Sequence, residues 1–211
     1  MSRPERLVLV TGTGTEIGKT WWTAATARDL RNRGVAVAAR KPTQSFAPDD
    51  ESTDAELLGA ATGEDPETVC PHHRWYPTPM APPMAADVLG APPFEIADLA
   101  AELTWPAGCA VGFVESVGGP LSPLAADGDT VDLADALTPT LTVLVADAGL
   151  GTVNDVRLCA GVLGTPLLVA LNHFEADADL HRRNRAWLAE RYDVVVDPAE
   201  LANRLTARTG P

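Results

Sequence analysis

No stretch limits what this chain can fold into more than residues 7–20, Leu7-Val8-Leu9-Val10-Thr11-Gly12-Thr13-Gly14-Thr15-Glu16-Ile17-Gly18-Lys19-Thr20. An apolar run of strand character empties into a glycine-punctuated turn, and a Gly-Lys-Thr triplet opens a helix. Glycines lack a Cβ, so consecutive backbone N–H groups can curl around a phosphate, and the helix N-terminus adds partial positive charge. In such a loop Lys19 reaches the β- and γ-phosphates and the Thr20 hydroxyl sits on a magnesium ion. The strict pattern has four residues between its first glycine and the Gly-Lys pair, whereas Gly12 to Gly18 leaves five. Gly14, Thr15, Glu16, Ile17 and Gly18 therefore belong to a nucleotide-binding loop one residue longer than usual.

A strand feeding such a loop calls for an α/β architecture, and 211 residues suit one domain. The expectation is a single P-loop α/β domain over residues 1–211, a mostly parallel sheet with helices on both faces. The formal net charge of −13 argues against a nucleic-acid partner and against an anionic membrane surface. It leaves room for a phosphate ligand, because a local cationic pocket suffices. Cys70, Cys109 and Cys159 show no tight spacing and read as buried or free thiols of a reducing compartment. The first residues lack the apolar core of a signal peptide, and no stretch is long enough to span a bilayer. A cytoplasmic location is expected.

Basic composition sharpens the picture. Of 16 basic residues only Lys19 and Lys41 are lysines. Lysine is a compact point charge with rotatable donors, which the planar guanidinium cannot replace in a phosphate cradle. One lysine closes the loop. The other follows the apolar segment Val35–Ala39, where ligands of open α/β sheets bind.

Further along, Thr53–Ala60 reads as a short helix that Asp54 helps to start, and residues 63–93 are proline-rich without clean periodicity. The Pro71-His72-His73 group beside Cys70 matches no standard zinc spacing and reads as ordinary loop. Cys109–Val114 is an apolar strand that ends in Glu115 and runs into Ser116-Val117-Gly118-Gly119. A carboxylate there can hold magnesium opposite Thr20, and Asp54 can complete the metal shell. Leu141–Ala146 is a strand followed by Gly149-Leu150-Gly151-Thr152-Val153-Asn154, a second helix start with the makings of an anion site. Pro166–Leu171 carries Asn172 to the same rim. Phosphoryl transfer from ATP to a small molecule is the leading chemistry, catalysed by positioning and electrostatics.

Taken together, these pieces resemble the dethiobiotin synthetase family, ATP-dependent ring-closing ligases. The similarity rests on Gly12–Thr20, Lys41-Pro42 with Ser45, Asp54, Val114-Glu115 with Gly118-Gly119, Leu150–Asn154, Asn172 and the Tyr76–Pro83 stretch. It covers the chain up to about Asn172. The resemblance implies a homodimer acting on diaminopelargonic acid and carbon dioxide, with ATP as co-substrate and Mg2+ as cofactor. It implies that Lys19 and Lys41 are catalytic and that Thr20, Asp54 and Glu115 hold the metal. It also implies that Asn172 reads the adenine. Ser45, Gly118 and the Gly151, Thr152, Val153, Asn154 helix start would meet the substrate, the last across the dimer interface. The chain departs from the family pattern at Phe46, where a glycine is usual, and at Ser116-Val117, where Gly-Ala is usual. Ser116 thereby adds a side chain where a backbone approaches substrate.

Three alternatives remain at this level: a nucleotide-binding protein that has lost catalysis, suggested by Phe46 and Ser116, a paralogous ATP-dependent ligase or carboxylase for another amine, and a partitioning-type switch ATPase. The last carries a lysine five residues before the loop's own, where this chain has Gly14.

Overall fold

The computed structural model describes residues 3–164 and 166–207. The chain opens with β1 (Arg6–Gly12), α1 (Lys19–Asn32) and β2 (Val37–Arg40). A segment follows that holds β3 (Gln44–Ser45), α2 (Asp54–Thr62), α3 (Pro66–Val69), a 3-10 turn at His72–Arg74, β4 (Trp75–Tyr76), α4 (Pro82–Val88) and α5 (Ile96–Glu102). The second half alternates strictly: β5 (Val111–Glu115), α6 (Thr130–Leu137), β6 (Leu141–Asp147), α7 (Thr152–Ala160), β7 (Leu167–Asn172), α8 (Asp179–Ala189), β8 (Asp193–Val195) and α9 (Pro198–Thr206).

Six strands form one sheet in the order β2-β5-β1-β6-β7-β8, and every pairing in it is parallel. The expected mostly parallel sheet is therefore wholly parallel. Helices cover both faces, because strand side chains alternate. Val8 and Val10 of β1 face one way, into a core with Trp22 and Leu30 of α1, Leu58 of α2 and Leu201 of α9. Leu7 and Leu9 face the other way, against Leu99 of α5 and Leu133 of α6. Next to that second core, Leu144 and Val169 pack on Val156 of α7 and Leu188 of α8.

The proline-rich segment is more ordered than its sequence predicts. Its helices are too short for periodicity to register, and its short strand β4 pairs only with β3 from the loop after β2, Trp75 with Gln44 and Tyr76 with Ser45. Arg74 ties the segment to α5 through Glu102 (2.7 and 3.0 Å) while stacking on Phe94. The helix at 54 also starts differently from expectation. Thr53 is the N-cap, in a reciprocal box with Glu56, and this leaves the Asp54 carboxylate free to face the sheet rim.

No helix among the described residues is long and apolar enough to cross a membrane.

Candidate active site

Parallel strands bring their C-terminal ends to one rim, so the residues just past β1, β2 and β5 converge although they are distant in sequence. Val10 pairs in register with Glu115, and Arg40, the residue before Lys41, with Val114. The loop after β1 first continues the ladder, Thr13 N–H donating to the Val145 carbonyl at 2.9 Å. It then turns back on itself. Glu16 has a φ of 56° and Gly18 of 94°, both in the left-handed region. At Gly18 only glycine fits, since a Cβ would also lie 2.2 Å from the Asn172 amide nitrogen. Lys19 then folds back to donate to the Gly14 carbonyl at 2.8 Å, closing the loop.

Around this loop lies the set of ionisable groups expected on the rim. Lys41 is 2% exposed and reaches Asp54 Oδ2 at 2.6 Å, Glu115 Oε1 at 2.9 Å and the Ser116 carbonyl at 3.2 Å. Burial works against its charge, but Asp54 and Glu115 outweigh that and hold its pKa above the ordinary lysine value. Lys19 has no such direct ion pair. Burial, aided by the charge of Lys41 and opposed by Glu115 and Asp54, brings it down to about 8. The carboxyl of Asp54 is also perturbed: burial raises its pKa, yet Lys41 and Thr20 together take it below the usual range.

The metal reading can be tested on unspent oxygens. Thr20 Oγ1 lies 2.7 Å from Asp54 Oδ1 and 2.8 Å from Glu115 Oε1, yet a hydroxyl has one proton to give. Glu115 is completely buried, and its Oε2 has no hydrogen-bond partner. A buried carboxylate oxygen without a partner is costly. Two carboxylates and a hydroxyl offer hard oxygen donors of the kind magnesium takes. Thr20, Asp54 and Glu115 therefore fit the ion.

A cleft of about 700 Å³ opens over these groups. Thr15, Glu16, Gly18, Lys19, Thr20, Lys41 and Asp54 form its polar part, while Phe46, Met80, Pro82 and Val117 supply an apolar wall. Ser45 and Gly118 also line it. Of the two departures from the family pattern, Ser116 turns out to be fully buried and away from the cleft lining, so its side chain does not enter the space it was expected to crowd. Phe46 and Val117 do enter it. Phe46 is held edge-on against Trp75, ring centroids 6.2 Å apart, and its N–H donates to Tyr76 O at 3.1 Å.

Other expected site residues lie elsewhere on the rim. Gly151, Thr152, Val153 and Asn154 start α7 but do not line this cleft, and Leu150 before them is 91% exposed. Asn172 sits behind the loop, donating from Nδ2 to the Ile17 carbonyl at 3.0 Å.

Sequence reasoning missed Gln44, whose Oε1 accepts from the N–H of Ala55 at 2.9 Å and so pins the start of α2 beside Asp54. No local pattern signals a contact between a short strand and a helix start. It also missed Asp147 and His173, which flank Asn172. Their position at the ends of β6 and β7 was a usable signal.

The fold and this rim define a P-loop nucleotide-binding α/β domain. A family model described as an AAA domain matches residues 6–194. The chain is 36% identical over 190 residues to the ATP-dependent dethiobiotin synthetase BioD of Haloferax mediterranei, covering 86% of this chain and 78% of that one. Identity is 35% to the enzyme of the same name from an Anaeromyxobacter species, covering 96% of this chain and 86% of the relative. For that of Streptomyces avermitilis it is 40%, covering 73% and 64%. The chain belongs to the dethiobiotin synthetase family and is an enzyme of the ATP-dependent ligase class.

Among solved structures, chloroplast FtsY of Physcomitrella patens superposes with a TM-score of 0.53 at 16% identity, covering 98% of this chain and 67% of that one. The signal recognition particle receptor FtsY of Elizabethkingia anophelis in complex with GDP gives 0.55 at 12%, covering 99% and 66%. At these identities the likeness is one of fold.

Proposed function

We propose that this enzyme makes dethiobiotin, a step of biotin biosynthesis, from diaminopelargonic acid, carbon dioxide and ATP, with Mg2+ as cofactor. The observation that carries this reading is the meeting of the chain's two lysines with Thr20, Asp54 and Glu115 over one cleft.

The reaction has three steps. One amine of the substrate attacks carbon dioxide and loses a proton, giving a carbamate. A carbamate oxygen then attacks the γ-phosphorus of ATP, ADP leaves, and a carbamic–phosphoric anhydride forms. The second amine attacks the carbamate carbon and loses a proton, the C–O bond breaks with its electron pair going to the departing phosphate, and the ureido ring closes.

Each residue's part follows from its surroundings. The backbone N–H groups of Gly14–Gly18 wrap the phosphates. Lys41, held charged between two carboxylates, faces the carbamate and γ-phosphate, where negative charge accumulates. Lys19 serves the same phosphate from the loop, and Ser45 and Gly118 meet the substrate. Magnesium, held by Thr20, Asp54 and Glu115, neutralises phosphate charge when bound. The apolar wall of Phe46, Met80 and Val117 suits the aliphatic chain of the diamine.

The α7 start at Gly151–Asn154 is the natural place for the substrate carboxylate, as a helix N-terminus favours an anion. It does not reach its own cleft, so we assign it to the cleft of a second copy in a homodimer. The 91% exposure of Leu150 supports a covered position there.

Incubation with diaminopelargonic acid, bicarbonate and MgATP, with dethiobiotin detected by mass spectrometry, tests the reading. Absence of product together with ATP hydrolysis stimulated by another amine would favour a paralogous ligase instead. Phe46 and Val117 on the cleft wall are the features that keep that second reading open. Light scattering without nucleotide tests the dimer.

A further inference from the structure

One buried amide beside the cleft has half its hydrogen-bonding capacity unspent. Gln44 of β3 is 1% exposed, yet it is among the residues that line the cleft. Its Oε1 accepts the Ala55 N–H at 2.9 Å. That backbone group can only donate, so the amide cannot be reversed, and its other end is the NH2. No group among the described residues accepts from Nε2. Burying an amide donor without a partner is costly to a fold, and an apolar side chain of similar length would avoid that cost.

The contact at the oxygen changes what the nitrogen can do. Ala55 lies in the first turn of α2, a helix of nine residues whose leading N–H groups carry partial positive charge. Thr53 takes the Glu56 N–H there, and Gln44 takes that of Ala55. The amide therefore continues the helix dipole: polarised at Oε1, it presents a stronger donor at Nε2. Such a donor suits a negatively charged oxygen. Gln44 stands outside the Gly14–Gly18 loop, between Lys41 and Ser45 in the chain. It is pinned to the same helical turn that brings Asp54 within 2.6 Å of Lys41 Nζ.

We propose that Gln44 Nε2 donates to one oxygen of the substrate carbamate, alongside Lys41. The bond stabilises the carbamate as it forms and leaves the other oxygen to attack the γ-phosphorus. Through Ala55 the same side chain keeps the start of α2, and so Asp54, in place. This assignment rests on the dethiobiotin chemistry proposed above.

Two substitutions separate the two ends of the amide. Gln44→Glu keeps an oxygen for the Ala55 N–H and loses the donor, whereas Gln44→Met keeps the length and loses both. Dethiobiotin formation is followed at about pH 8.5, where a glutamate is ionised, with Mg2+ titrated to saturation. Calorimetry with the β,γ-imido analogue of ATP, at saturating Mg2+ and without amine, reports on the nucleotide alone.

At saturating Mg2+ both variants should lower kcat/KM for diaminopelargonic acid by about tenfold or more, the worth of a hydrogen bond to a charged oxygen. Affinity for the analogue should be unchanged. Half-saturation by Mg2+ should rise in Gln44→Met only, because only that variant frees the start of α2. Turnover that matches the unmodified protein in either variant at saturating Mg2+ would reduce Gln44 to a support for α2 and overturn the proposal. Weakened analogue binding in both variants would move the donor to the γ-phosphate and overturn it as well. If thermal unfolding shows that one variant does not fold, the other decides alone. Absence of dethiobiotin from the unmodified protein is a failure of the proposed function itself and takes this assignment with it; with product formed, the variants alone decide.

Discussion

Lys41 Nζ and Glu115 Oε1 lie 2.9 Å apart, 74 positions distant in sequence, and neither side chain has more than 2% of its surface in solvent. Taking both charges out of water is expensive, and their attraction offsets this only because Asp54 adds a second negative partner. The pair is therefore a poor source of stability and a good source of positioned charge. Removing one member is costly in both respects.

Lys41→Ala should abolish dethiobiotin formation while leaving ATP binding within about threefold, as Lys19 and the loop backbone remain. It should also destabilise the fold by about 3 kcal/mol at pH 7, the lower end for a broken buried pair because Asp54 is about a third exposed. The sign of the pH dependence follows from Asp54, whose folded pKa lies below its unfolded value. That contribution is present above the ordinary carboxylate pKa and is lost as pH falls through the folded one. The stability gap to the unmodified protein, read by urea unfolding, should thus narrow below about pH 4.

Lys19 has the opposite signature. With its pKa near 8 it is partly neutral in the free protein at pH 8–9. Nucleotide phosphates favour the charged form, so binding in that range should take up protons. Calorimetry in two buffers of different ionisation enthalpy should show an uptake that grows from pH 7 to pH 8.5. Equal apparent enthalpies in both buffers would show that Lys19 stays fully charged.

Thr20→Val keeps the shape of the side chain and removes the oxygen that faces both carboxylates. Half-saturation by Mg2+ should rise by roughly tenfold, with metal-free nucleotide binding little changed. Titration of turnover with Mg2+ at fixed ATP measures this.

Gly18→Ala imposes a strained φ and puts a methyl group against Asn172. A cost of about 1–3 kcal/mol in stability is expected, together with loss of most nucleotide affinity. Thermal unfolding with and without MgATP reads both effects.

Phe46→Gly removes an aromatic side chain that lines the cleft. The KM for diaminopelargonic acid should change by at least about threefold while the KM for ATP stays put. A joint change in both would mean that the ring supports the β3–β4 pair rather than the substrate.

Much of the fold could be read without coordinates. A fully buried parallel sheet demands near-continuous apolar runs, and β1, β5, β6 and β7 are such runs, the last three ending in a polar residue and β1 in the first glycine of the loop. Apart from α2, the segment between Lys41 and Phe94 was not legible, because helices of four to seven residues and strands of two give no periodic signal. They are held by contacts such as Arg74 with Glu102 that join distant positions. The site was legible to the same degree. Lys19, Thr20 and Glu115 carry local motifs, whereas Gln44 meets Ala55 and His173 meets Asp147 only once the chain has folded.

By itself the sequence determined that a P-loop follows β1, that its only two lysines stand in or beside that loop's rim, and that an acid ends β5. Local chemistry was enough, since backbone freedom at glycine and the charge of a residue need no partner to be known. Tertiary structure alone decided which charges touch. Parallel register set Glu115 beside the loop and carried Lys41 between it and Asp54. It buried Ser116 while turning Phe46 and Val117 into the cleft, and it set the Asn172 amide against the Ile17 carbonyl. Those outcomes depend on strand order and side-chain direction, which emerge only when the sheet is assembled.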